Sequence, residues 1–141
     1  MPFRSAIAIL ASFGAIAAHA DPPIQTTHPG DLAWEVTPEG VAFAPLVGDR
    51  FAEPYMAMVR LPAGLVSPPH VKSADMFGVM VAGEMTHVAL DADADSAQPL
   101  PAGAFYRVPA DVAHVSACVS EVDCVAFLYQ DGAFDFEPVT P

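Results

Sequence analysis

Basic residues are scarce in this sequence. Five Lys and Arg stand against 17 Asp and Glu, a formal net charge of −12. Nucleic acids and anionic lipid surfaces recruit clustered Lys and Arg, so this balance sets both aside as partners. Long apolar runs are also missing. Beyond the first twenty residues no stretch approaches the roughly 20 apolar residues that cross a bilayer. No segment sustains helical periodicity, and 15 prolines with nine glycines argue against a helix bundle. The sequence contains no Gly-rich phosphate loop, no nucleophile elbow and no pair of carboxylates at catalytic spacing. Cysteine is limited to two residues. What is present is a chain of 141 residues, 53% of them hydrophobic. That suffices for one packed domain and excludes global disorder.

Residues 1–20 read as a secretory signal peptide. Arg4 supplies the positive start, Ser5 to Ala17 an apolar run, and Ala18-His19-Ala20 a small-x-small cleavage signal. The run is short for a membrane anchor, and no cysteine follows it to carry lipid. The expected product begins at Asp21 and is soluble and exported, either periplasmic or secreted. Export permits disulfides. Cys118 and Cys124 flank Val-Ser-Glu-Val-Asp, which reads as a hairpin loop, and a bridge across it is the expected pairing. The alternatives are two buried thiols or a redox pair, and the spacing is not the C-x-x-C of the latter.

Residues 21–31 are rich in Pro and Thr and read as a loose segment, leaving residues 32–141 as the domain. Strand-like runs lie near Leu32 to Val36, Val41 to Pro45, Tyr55 to Leu61, Met76 to Val81, Glu84 to Leu90, Ala104 to Val108, His114 to Cys118 and Cys124 to Tyr129. Short strands at this density predict an all-β antiparallel barrel or sandwich. Asp91-Ala-Asp-Ala-Asp95 mimics the start of a calcium loop. Ser96 and Ala102 occupy its glycine and glutamate positions, however, so it reads as a solvated turn.

Three histidines, His70, His87 and His114, fall on or beside these runs. Gly64, five residues, His70-Val-Lys72, three residues, Met76, six residues and Gly83 form one spaced pattern. Gly103, five residues, Pro109-Ala-Asp111, two residues, His114, three residues and Cys118 form another, about twenty residues on. Both resemble the two motifs of the cupin superfamily in spacing, over the region from about Leu61 to Tyr129. The resemblance implies a jelly-roll barrel, a cavity for a small-molecule ligand and a homodimer paired through its sheets. It also implies metal ligands at His70 and His114. The second histidine of the first motif is here Lys72 and its glutamate is Met76, so the usual metal site is degenerate.

His87 is a candidate replacement ligand. Met85, His87 and Ala89 form the more apolar alternate set on their run and are expected to face inward. A two-residue turn at Ala82-Gly83 would pair Gly78 with His87 and Met76 with Ala89. Three neutral imidazoles can hold zinc, iron, manganese or copper, one divalent ion in all, with positions left open. The alternative is a barrel without metal. Cys118 lies about 13 Å along the strand from His114, too far to share one ion.

Lys72 is the only lysine. On a regular strand it shares the face of His70, about 6.6 Å along. The common outcome for such a side chain is to snorkel to solvent at the barrel mouth. It could instead pair with Asp75, or bind a carboxylate. Two functional readings follow. One is an exported metal-dependent cupin on His70, His87 and His114, acting as an oxygenase, isomerase or decarboxylase. The other is a metal-free binding module for a small anion, with Lys72 or Arg107 catching the charge and Met76 and Tyr106 lining the cavity. A sensory role ranks third.

Overall fold

The computed structural model describes residues 24–140. The signal peptide expected at 1–20 and its cleavage site lie outside them. Ten strands form two antiparallel sheets: β1 (Glu35–Val36), β2 (Ala42–Val47), β3 (Tyr55–Leu61), β4 (His70–Val71), β5 (Met76–Ala82), β6 (Met85–Ala89), β7 (Phe105–Val108), β8 (His114–Cys118), β9 (Cys124–Gln130) and β10 (Glu137–Pro138). The larger sheet runs β1-β2-β3-β9-β5-β7 and the smaller β10-β4-β8-β6. This is the all-β jelly-roll architecture expected from the sequence. No helix among the described residues is long and apolar enough to cross a membrane.

Strand alternation builds the core. Tyr55, Ala57, Val59 and Leu61 of β3 are buried, while Met56, Met58 and Arg60 between them are more exposed. Across the ladder they meet Gln130, Leu128, Ala126 and Cys124 of β9 in register. In the middle of this ladder a larger residue opposes a smaller one, Ala57 with Leu128 and Val59 with Ala126. On the far side of β9, β5 turns Met76, Gly78 and Met80 inward.

Gly78 is required by its neighbour across β5 and β7. It stands in register with Tyr106, and a Cβ on Gly78 would overlap the Tyr106 ring, reaching 2.6 Å from Cε1 and closer still to Cζ and Oη. The sequence reading gave the space beside Gly78 to His87, and the structure gives it to Tyr106. The reason is topological. β5 and β6 are not a hairpin pair. Gly83, at φ +72°, turns the chain out of the larger sheet into the smaller one. β6 therefore pairs with β8, placing His87 opposite Ser116 and Ala89 opposite His114. Asp111 stands where the second motif has glycine and holds a left-handed φ of 61°, a region that Asp tolerates better than most residues.

Two elements escaped the sequence reading, β4 and β10. Each has two residues and they pair only with each other and, for β4, with β8. The first expected strand shortens to Glu35–Val36 after a 3-10 turn at Pro29–Asp31. The Asp91 to Asp95 segment is an exposed turn, in which the Asp93 carboxylate accepts the Asp95 amide at 3.1 Å.

Cys118 and Cys124 form the expected disulfide, with Cα atoms 5.6 Å apart. Both side chains are essentially inaccessible to solvent. The bridge closes the turn between β8 and β9 and ties the smaller sheet to the larger at one end of the barrel.

Two outcomes test this packing. Gly78→Ala is expected to destabilise the fold by roughly 1–3 kcal/mol through overpacking. Adding Tyr106→Leu should recover part of the loss in thermal unfolding, and a double variant no more stable than Gly78→Ala would refute the stated contact. Replacing both cysteines by alanine should lower the unfolding free energy by about 2 kcal/mol, as expected for so short a closed loop. Denaturant titration checks it.

Candidate functional site

The space between the two sheets is a cavity of about 650 Å³. Its walls are mostly apolar and aromatic, with polar atoms at a few points, as small-molecule sites usually are. Met76, Tyr106, Met85, His87, Ser116, His70 and Lys72 all line it. Arg107 does not. It follows the inward Tyr106 on β7, so alternation turns it to the outer face, where Nε donates to Asp75 at 3.0 Å. Arg107 is thereby withdrawn from the set of ligand contacts proposed for it. Asp75, held low by the Ala110 amide and by Arg107, is likewise no partner for Lys72.

His70 and His87 line the cavity, and His114 is buried beside them without lining it. His70 on β4 and His114 on β8 are direct partners across the ladder, with ring centroids 4.2 Å apart. His87 on β6 lies 6.2 Å from His114 and tilts against Tyr106 at 4.3 Å. Each ring is anchored through Nδ1. His70 bonds to the Pro68 carbonyl and His114 to the Val112 carbonyl, both at 2.9 Å, while His87 bonds to the Ser116 hydroxyl at 2.8 Å. A carbonyl only accepts, so Nδ1 of His70 and of His114 carries the proton and Nε2 presents a lone pair. The Nε2 atoms of His87 and His114 are buried without a partner.

Burial keeps all three rings neutral. It lowers His87 to about 3 and His70 to about 4, and it lowers His114 as well. Neighbouring rings and the Lys72 charge add to the effect at His70. Among the described residues, however, no group of three or more His, Cys, Asp or Glu side chains is arranged to hold a metal ion. The histidines share a wall without converging as a three-donor centre. The ammonium beside them opposes a cation. As they stand, these residues do not fit the three-histidine centre expected from the sequence.

Lys72 departs from the outcome expected for it. It does not snorkel. Only 6% of its surface is exposed. Nζ donates to the Asp135 carbonyl and lies 4.3 Å from the centre of the Phe134 ring and 5.9 Å from that of Phe136. Burial lowers its pKa to about 8, with the Asp135 charge working the other way. At pH 7 the side chain therefore remains mostly an ammonium ion, inside an apolar wall. The phenols of Tyr106 and Tyr55 are raised by burial and stay neutral donors.

The segment after β9 supplies what the sequence reading missed. Phe134 and Phe136 line the cavity, and Phe136 stacks on His70 at 4.2 Å with planes 17° apart. Asp135 between them faces the other way. It accepts the Ser73 amide at 2.7 Å. The alternation Phe-Asp-Phe was a readable signal that this tail returns to the barrel. Arg50 was missed too. It sits in the turn between β2 and β3, lines the cavity and packs against Phe43, Phe51 and Phe134. Nothing in its local sequence separates it from an ordinary turn arginine.

The model of the ChrR cupin-like domain family matches residues 24–134. Among solved structures, the chain is similar to KdgF from Halomonas sp., at 15% identity and a TM-score of 0.61, over 77% of this chain and 94% of that one. It is similar to the polyketide cyclase RemF from Streptomyces resistomycificus, at 14% identity and a TM-score of 0.67, over 84% and 87%. An oxalate oxidase matches at 17% identity and a TM-score of 0.61, over 95% and 73%. At such identities the likeness is one of fold. No curated protein matches. The family match covers most of the described barrel, and the chain belongs to the cupin superfamily, in the family of ChrR cupin-like domains.

Proposed function

We propose that this chain is an exported cupin that binds a small hydroxylated organic anion in its barrel without a metal. The observation that carries this reading is the charged Lys72 inside the cavity. An ammonium ion buried against aromatic rings has lost most of its hydration, and a ligand carboxylate would replace it. The same wall offers the Nε2 lone pair of His70, which accepts hydrogen bonds and repels bare anions. A carboxylate toward Lys72 and a hydroxyl toward the His70 imidazole satisfies both. Tyr106 and Met76 supply apolar contact. Export agrees with the disulfide.

A second reading is favoured by one observation, the buried and unpartnered Nε2 atoms of His87 and His114. There a divalent transition metal would sit on these histidines beside His70, and the activity would be oxygenase, isomerase or decarboxylase chemistry. Metal content of protein purified without chelator separates the two readings. About one equivalent, lost in His114→Ala, would establish the metal reading. None, even after reconstitution, would leave the anion reading.

Lys72→Met is expected to weaken binding of small hydroxycarboxylates at least ~10-fold, or ~1.4 kcal/mol, with the fold intact by circular dichroism. His70→Ala should weaken the hydroxyl-bearing probe more than its deoxy analogue. Equal effects of Lys72→Met on a carboxylate and on the corresponding neutral amide, measured by titration calorimetry, would refute the role of Lys72. Affinity should also fall as pH rises past about 8, where Lys72 loses its proton. The ammonium is the binding form, so the sign is a loss on the alkaline side, and a flat profile into the range of ordinary lysine titration would count against the reading.

A further inference from the structure

Arg50 is a second cation committed to the same cavity. Its guanidinium is wedged among aromatic rings, 4.4 Å from the centre of Phe51, 4.7 Å from Phe43 and 6.0 Å from Phe134. Only 14% of the side chain is exposed. Nη2 meets the Glu35 carboxylate at 3.1 Å, and that carboxylate is more than half exposed. Nε and Nη1 are buried and have no hydrogen-bond partner. An arginine normally uses its fork of donors fully when it is removed from water. Here two of three nitrogens are left open at the cavity wall.

Arg50 and Lys72 flank one ring. The Lys72 ammonium is 4.3 Å from the centre of Phe134 and the Arg50 carbon is 6.0 Å from it. Two positive groups therefore line one apolar cavity, in a chain with only five Lys and Arg against 17 acids. Each cation has one acid beside it: Glu35 pairs with Arg50, and the Asp135 charge favours the ammonium form of Lys72. A ligand carboxylate would give each a further charged partner inside an apolar wall.

We infer that the cavity selects a linear dicarboxylate, one carboxylate on Lys72 and the other on the open nitrogens of Arg50. This rests on the anion reading above and narrows its ligand class. Phe51 is the covering group that must rotate to open the Arg50 end. It is two-thirds exposed, and among the described residues its ring is packed chiefly against Arg50 and Phe134.

The test compares glutarate with pentanoate, which has the same chain length and one charge fewer. Titration calorimetry is done on the full-length mature chain. Glutarate should bind at least ~10-fold more tightly than pentanoate. Arg50→Gln should erase that preference, weakening glutarate at least ~10-fold more than pentanoate, whereas Lys72→Met should weaken both. Arg50→Lys keeps the charge and stem but not the fork, and should retain an intermediate preference. It serves in place of the glutamine variant if that does not fold. Equal binding of the two probes by the unaltered protein, or a parallel loss of both in the Arg50 variants, would overturn the inference while leaving the anion reading in place. Binding of neither probe, nor of any hydroxycarboxylate, would overturn both.

Discussion

One buried ammonium organises this site. Lys72 leaves water directly after the two-residue β4, and the segment after β9 comes to it. The Asp135 carbonyl takes one of its protons, and the rings on either side of Asp135 cover its charge. The same tail makes the bonds that close the barrel mouth. Gln130, fully buried, donates to the Ala133 carbonyl at 2.8 Å, and the Asp131 amide donates to the Asp75 carbonyl at 2.9 Å. Charge, lid and cavity are thus one cooperative unit. A polar group is tolerated inside only where its hydrogen bonds are met, and here the chain end meets them.

The histidine wall obeys the same accounting up to a point. Each Nδ1 is satisfied by a fixed neighbour, which sets ring orientation much as an outer partner sets a metal-ligating imidazole. The Nε2 side is left over. In the interior of a stable protein such remainders are uncommon, and they are the polar atoms of this wall left without a partner. The neutrality of all three rings follows from burial and mutual proximity. It fits a site that accepts hydrogen bonds rather than one that adds positive charge to that of Lys72.

Much of the architecture was legible in the residues. Alternation turned Met85 and His87 inward, where both line the cavity, and the glycine-spaced histidine motifs pointed to the barrel. Three things were not legible. β5 and β6 look like a hairpin because only Gly83-Glu84 separates them, yet they belong to different sheets. Pair spacing alone cannot tell a tight hairpin from a corner between layers. β4 and β10 are too short to carry a period. Arg50 and Lys72 meet through the third dimension, across twenty-two positions of sequence that include all of β3. Arg107, the cation that looked equivalent, was lost to strict alternation on β7.

The barrel is fastened unequally at its two ends. At one end the Cys118–Cys124 bond and the Gly83 corner join the sheets covalently and without slack. At the other the closure is the chain's own tail, held by hydrogen bonds and aromatic stacking. Local opening draws on the weakest cooperative unit, so the segment after β9 is expected to open before the disulfide-tied end does. For a ligand held as proposed, exchange would follow that local opening, on a clock separate from global unfolding.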